Sequence, residues 1–303
     1  MPVPRNSSDN AQIVMTLTTA PPRTAGDSPM GKSHDYSPGD QFILPMVSLS
    51  WRELIRFYRQ KHRLLGALAT PLVFWLLIGA GLGASFHPPD SVLPRGATAI
   101  EYLYPGTLVL ILLFTSIFST ISVIEDRREG FLQSVLVAPA SPAAIVLGKI
   151  LGGTIVALLQ GILFLLLAPW VGIQVTVISG LVLVALVCLI SFGLTALGLT
   201  LAWRMQSTQG FHALMNLVLI PLWLLSGAFF PASGAPRILK WTLRLNPISY
   251  AVSSLRRGLY WNTGTPLEEP SMGLCVLVVS LFALVLFVAA VRIASVETVG
   301  DLK

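Results

Sequence analysis

Charge is what this sequence has least of. Asp, Glu, Lys and Arg make up only 11% of its 303 residues, against roughly 25% in a soluble domain, and mean hydropathy is +0.75. So little charge cannot cover a water-facing surface, which excludes an ordinary soluble protein. Cysteine is scarce too. Cys188 and Cys275 each lie inside an apolar run, where they read as small core hydrophobes rather than a disulfide or metal pair. His34, His62, His87 and His212 are scattered, so no cluster has metal-ligand spacing. The sequence contains no G-x-x-x-x-G-K-[ST] phosphate loop, no HExxH and no nucleophile elbow, and therefore no recognisable means of binding ATP or running a hydrolysis itself. No cofactor is expected on this chain.

What is there is length without charge. Six apolar runs lie at 64–85, 102–124, 150–173, 175–202, 211–230 and 272–291, none holding Asp, Glu, Lys or Arg. Each is close to the roughly 20 residues a spanning helix requires, so the expected fold is an all-α integral membrane protein with six transmembrane helices. The third and fourth runs must be divided at a tight hairpin around Pro169 and Gly172. Pro71 is tolerated within the first. Small residues recur, as at Gly79, Gly81 and Gly83 or Gly193, Ala196 and Gly198, and allow helices to approach closely. His212 and Asn216, at i and i+4, read as an interhelical contact. Without ionisable residues in the spans, a proton- or sodium-driven carrier is disfavoured. Energy must come from outside the chain, and the cargo should be amphipathic or lipid-linked.

The connecting segments carry the rest. Residues 1–45 are rich in Pro, Ser, Thr and Asp and read as a disordered leader, with an apolar patch at 13–17 too short for a signal peptide. The main domain is then 46–303. It opens on an amphipathic helix over 46–63: Val47, Trp51, Leu54, Ile55 and Tyr58 share one face, and Arg52, Arg56, Arg59 and Arg63 the other. That pattern suits a helix lying in an anionic headgroup layer, or a solvated helix against a soluble partner. Fourteen of the twenty basic residues fall on the side of the N-terminus, so the positive-inside rule places both termini in the cytoplasm. Membrane lipids, not nucleic acid, account for the basic surplus.

Between the second and third spans, residues 124–149 form a charged, turn-rich interruption. Leu132, Val135 and Leu136 make a short helical stripe that Glu129 and Gly130 are expected to open, and Pro139, Ser141 and Pro142 stop it. A short helix hung from a membrane domain is what docking to a soluble partner needs. Between the last two spans, Ser226, Gly227 and Pro231 end the fifth run early. Asn246-Pro247 then starts a helix with Ile248, Val252, Leu255 and Leu259 on one face.

The loop residues Asp126, Arg127, Gly130, Phe131, Leu132, Leu136, Pro139, Ser141, Gly148 and Lys149 resemble, at their spacing, the cytoplasmic loop of type-2 ABC exporter permeases. Arg128 and Pro142 depart from that pattern. Asn246, Pro247, Tyr250 and Arg256 are similar to the same family's NP-x-x-Y stretch, which there forms short helices dipping into the outer leaflet. The resemblance runs from about Val47 to the C-terminus. It implies a six-span subunit that is not itself an enzyme, in the cytoplasmic membrane. It pairs with a second permease copy, identical or related, and works with two copies of an ABC ATPase that hold ATP and Mg. The coupling loop would comprise Asp126, Arg127, Glu129, Gly130, Phe131, Leu132, Leu136 and Pro139. Two other classes stay open at this point. One is a membrane-embedded lipid-modifying enzyme using Glu125, Asp126 and Glu129; the other is a membrane assembly protein without transport.

Overall fold

Long charge-free runs bounded by capping residues dictate the helices. A computed structural model describes residues 40–86, 88–89, 92–94, 96–131, 140–231, 235–263 and 269–300, and every described element belongs to one unit, Pro38–Lys303. Among the described residues there are no strands and nine α-helices: α1 (Asp40–Arg59), α2 (Lys61–Leu82), α3 (Ala99–Arg128), α4 (Pro142–Leu165), α5 (Val177–Ala202), α6 (Thr208–Trp223), α7 (Arg237–Leu245), α8 (Pro247–Leu259) and α9 (Met272–Gly300). Six of them, α2 to α6 and α9, are long and apolar enough to cross a membrane, as the sequence predicts.

The helix starts are written in side chains. Thr98 accepts from the Glu101 N–H while the Glu101 carboxylate accepts from the Thr98 N–H at 2.5 Å, a reciprocal cap. Thr176 and Ser179 repeat the arrangement for α5. Ser141 caps α4 with Pro142 in its first turn, and Ser207 caps α6. Between α4 and α5 the expected hairpin is a 3-10 turn, Ala168–Val171, closed by Gly172 at φ 86°.

Several boundaries differ from the sequence reading. Helix α4 begins at Pro142 rather than 150, since the Ser141 cap lies well ahead of the apolar run, and it ends at Leu165. Helices α3 and α9 run beyond their apolar stretches, to Arg128 and Gly300. Helix α1 starts at Asp40, with Pro45 inside it, and stops at Arg59. Gln60, at φ −91° and ψ 63°, separates it from α2. The part of the expected leader at 1–39 lies outside the described residues.

Helix α3 is the axis of the bundle. Of its spanning window 83% is buried, against 22% for α2 and for α9 at the periphery, and it packs against α2, α4, α5, α6 and α8. Tyr104 stacks on Phe164 at 4.5 Å between centroids and donates to the Phe164 carbonyl at 2.6 Å. Trp75 meets both rings edge-on, at 5.6 and 5.3 Å, each such pair being worth about 1 kcal/mol beyond burial. Close approach is set by small residues. A Cβ on Gly198 would stand 2.8 Å from the Thr120 hydroxyl, and one on Gly161 2.7 Å from Val187. The outer faces stay apolar: Val73, Phe74, Leu76 and Leu77 on α2, and Leu277, Leu281, Leu284 and Val285 on α9, are exposed. In water this would be an aggregating surface; hydrocarbon is its natural solvent. His212 and Asn216 also face outward, His212 lying edge-on to Phe118 at 5.7 Å.

Candidate functional site

At one end of the bundle, α1 lies across α4 and the end of α3. Glycine permits the crossing. A Cβ on Gly148 would stand 2.8 Å from the Met46 carbonyl oxygen, and one on Gly152 2.7 Å from Glu53 Cβ. Ser50 adds a hydrogen bond from its hydroxyl to the Gly148 carbonyl at 2.8 Å. Lys149, between these two glycines, therefore enters the contact directly.

There it joins a cluster built around Asp126, which is wholly buried. Arg52 donates to both Asp126 carboxylate oxygens, at 2.9 and 2.6 Å. Arg56 donates to Asp126 at 2.6 Å and to Glu125 at 2.8 Å. Lys149 Nζ bridges Asp126 at 2.7 Å and Glu53 at 2.8 Å. Three cations thus meet three carboxylates, and the cluster is neutral as a whole. Its electrostatics are those of a buried network that holds only while every member is paired. The hydrogen bonds to Asp126 hold the Arg52 guanidinium above its already high value, so it stays charged at any accessible pH. Phe131 sits beneath the same guanidinium at 3.7 Å. Each member of the cluster is engaged by another, and together they tie α1, α3 and α4 into one joint.

The placement differs from the sequence expectation in two ways. The arginine stripe of α1 does not face lipid as a whole: Arg52 and Arg56 turn inward to the α3 carboxylates, and Arg59 is exposed. It is the apolar face that points away from the protein, with Trp51 64% and Tyr58 74% exposed. Within the expected coupling loop, Asp126 is not offered to any partner, because α3 extends far enough to bury it under α1. Arg127 donates to the Trp203 carbonyl and Arg128 to that of Gln206 at 2.9 Å, which ties the end of α3 to the end of α5. Glu129 and Gly130 close α3 rather than opening the next helix. Glu129 is the C-cap, and Gly130 follows at φ 74°, a left-handed position that glycine adopts without strain. Leu132, Leu136 and Pro139 lie outside the described residues. Glu53 went unnoticed in the sequence, although its position amid the arginines of α1 marks it as their counter-charge.

The opposite end is organised by a break. Helix α6 runs into a π-turn, Leu224–Ala228, in which Leu225 and Gly227 leave helical geometry, Gly227 at φ 80°. The carbonyls freed there are met by side chains. Asn246 Nδ2 donates to Leu222 at 2.6 Å and Leu225 at 2.9 Å, while its Oδ1 caps α8 at the Ile248 N–H. Tyr102 donates to the Gly227 carbonyl at 3.1 Å, and Arg256 to the same oxygen at 3.3 Å. Arg256, 3% exposed, also pairs with Glu269 and lies over the Tyr102 ring at 4.8 Å. Burial works against its charge, and Glu269, with Tyr102 and Tyr260 beside it, more than restores it. Pro247 occupies the first turn of α8, and Tyr250 donates to the Arg244 carbonyl at 2.8 Å. All four residues of the NP-x-x-Y stretch are thus gathered at one joint.

A family model described as ABC-2 type transporter matches residues 46–260, from within α1 to just beyond α8. The chain is 26% identical to ycf38 of Cyanophora paradoxa, named as a transport permease, over 71% of this chain and 74% of that one. It is 25% identical to Nodulation protein J of Rhizobium leguminosarum bv. trifolii, over 80% and 93%. With the inner membrane transport permease YhhJ of Escherichia coli the identity is 28%, over 49% and 40%. Six apolar span-length helices, the gathered NP-x-x-Y joint and a match covering most of the chain lead to one conclusion: this chain belongs to the ABC-2 type transporter family, as a multi-pass permease subunit of an ABC transporter.

Proposed function

We propose that the chain is the membrane half of an ATP-driven exporter. It lies in the cytoplasmic membrane with both termini in the cytoplasm, and moves an amphipathic or lipid-linked substrate. Two copies, or one copy and a related permease, pair about a two-fold axis. Two copies of a separate ATPase hold ATP and Mg and press on the connection between α3 and α4. The observation that carries this reading is the joint around Asp126 and Lys149. Both helices that bear the connection are tied there to α1 and, through Arg127, to α5. A displacement of the connection would then pass to several helices at once rather than dissipate in a loop. The orientation rests on the excess of basic residues on the side of the N-terminus, fourteen against six, by the positive-inside rule. A catalytic reading of the acids loses ground, since Glu125 and Asp126 are occupied by arginines.

Glu129 provides the test. It is exposed at the C-terminal end of α3, where the helix dipole disfavours an acid by about 0.3–1 kcal/mol. A merely structural Glu129 would therefore be improved by Glu129→Lys. In the complex reconstituted with its ATPase, the coupling reading expects E129K to keep its melting temperature and lose substrate-stimulated ATP hydrolysis. Near-normal stimulated turnover by E129K would end that reading.

A further inference from the structure

The end of the bundle that holds the α6 break also holds a cavity of about 400 Å³, within the range of small-ligand sites. Its walls come from the break, α7 and α8, and its charged lining is Lys240, Arg244, Arg256 and Glu269. Arg256 and Glu269 offset each other. Lys240 and Arg244 have no carboxylate partner among the described residues, so the described lining of the cavity holds two cations more than anions. Ser249 lines it as well. It is 8% exposed, and its hydroxyl has no hydrogen-bond partner among the described residues. The Arg256 Nε–H is likewise unpartnered, and so is one acceptor, the Glu269 Oε2. A buried hydroxyl or guanidinium N–H left without an acceptor is costly, and both belong to residues of a space whose described lining has three cations and one carboxylate.

Helix α7 indicates where that space lies. Ile238, Trp241 and Leu245 fall at i, i+3 and i+7 and are exposed, at 83%, 57% and 79%. Lys240 and Arg244 precede Trp241 and Leu245 by one residue each, on the neighbouring face. An exposed apolar stripe with a Trp beside a cationic one is the signature of a helix at a membrane–water boundary. The cavity therefore opens at the depth of lipid headgroups.

We infer that this cavity binds a phosphate-bearing anion, with Lys240 and Arg244 as its cations and Ser249 and Arg256 as further donors. Phosphate supplies several acceptor oxygens and the negative charge that these groups lack. The site stands apart from ATP coupling and from the joint around Asp126. A lipid headgroup and a water-borne phosphate present the same chemistry, and the experiment separates them.

The full chain is purified in detergent, and retention of phosphatidylglycerol against phosphatidylcholine is measured by native mass spectrometry. Lys240→Gln with Arg244→Gln is compared with Arg237→Gln with Arg204→Gln, which removes two exposed cations outside the cavity. In a second arm, thermal stabilisation by inorganic phosphate is measured against chloride at matched ionic strength. Lys240 and Arg244 are exposed, so an unchanged melting temperature without anion is expected for their variant. The cavity pair should weaken anion binding about tenfold, each cation near a headgroup contributing a few-fold, and the control pair less than about twofold. Loss confined to phosphatidylglycerol identifies a headgroup as the occupant, and loss of stabilisation by inorganic phosphate a water-borne anion. Equal losses in the two pairs, or none in either arm, overturn the inference.

Discussion

Replacing Asp126 by Asn changes almost no volume and removes one charge from the centre of the α1–α3–α4 joint. The remaining cluster would hold three cations against Glu53 and Glu125. Removing one partner from a buried pair costs about 3–5 kcal/mol, and the structure places Asp126→Asn at the low end. Arg52 and Arg56 are 31% and 19% exposed at their side chains, so water screens part of their loss. Lys149, at 3%, has no such relief, but keeps Glu53 at 2.8 Å. About 3 kcal/mol is therefore expected, seen as a fall of several degrees in thermal unfolding of the purified chain in detergent. The sharper test is a cycle. Lys149→Met together with Asp126→Asn leaves two cations and two carboxylates. The double variant should thus be more stable than D126N alone, with a coupling of about 1–3 kcal/mol. A double variant as unstable as the two single losses added would refute the account of a balanced network.

Three further outcomes are expected. Gly152→Leu should lever α1 off α4, because even a Cβ would meet Glu53 Cβ at 2.7 Å and the Ser50 carbonyl at 3.1 Å. Overpacking of this kind costs about 1–3 kcal/mol, and the melting temperature of the purified chain in detergent should fall accordingly, whereas Gly66→Leu, where a Cβ meets nothing within 4 Å, should leave it unchanged. Asn246→Ala should lower the melting temperature by the equivalent of about 2 kcal/mol, since it removes a helix cap and strands two carbonyls; an unchanged melt would mean the α6 break is satisfied in some other way. With Cys188 and Cys275 replaced, an impermeant maleimide applied to intact cells should label a cysteine at 263 but not one at 133, and the reverse pattern would invert the proposed orientation.

The spans were legible because a charge-free run of bilayer length has few other uses, and capping residues such as Ser141 and Thr176 can be read one at a time. The joint was not legible as a joint. Its members lie about 23 to 96 residues apart in the chain, so the Arg52–Arg56 stripe and the Glu125–Asp126 pair each look like a surface awaiting an outside partner. Only the crossing of α1 over Gly148 and Gly152 makes them partners of one another. The end of α3 is hidden from hydropathy for a related reason. Hydropathy stops at Ile124, whereas the helix is continued by charges that are neutralised in three dimensions. Asn246 and Arg256 could be singled out from their motif, but nothing in it tells that their acceptors are the carbonyls freed between Leu222 and Gly227.

Those carbonyls determine where this molecule can bend. A buried backbone oxygen that loses its donor costs about 1–3 kcal/mol, so separating α8 from the end of α6 would leave several acceptors unpaired together. The broken segment, usually the weakest place in a helix, is here pinned to α8 through Asn246 and Arg256 and to α3 through Tyr102. Motion that opens a path at this end must then carry the tip of α6 and the whole of α8 as one rigid cap. Lower in α6, the outer face at Asn216, Leu217 and Val218 is exposed, so less of the described chain restrains the helix there than at its pinned tip.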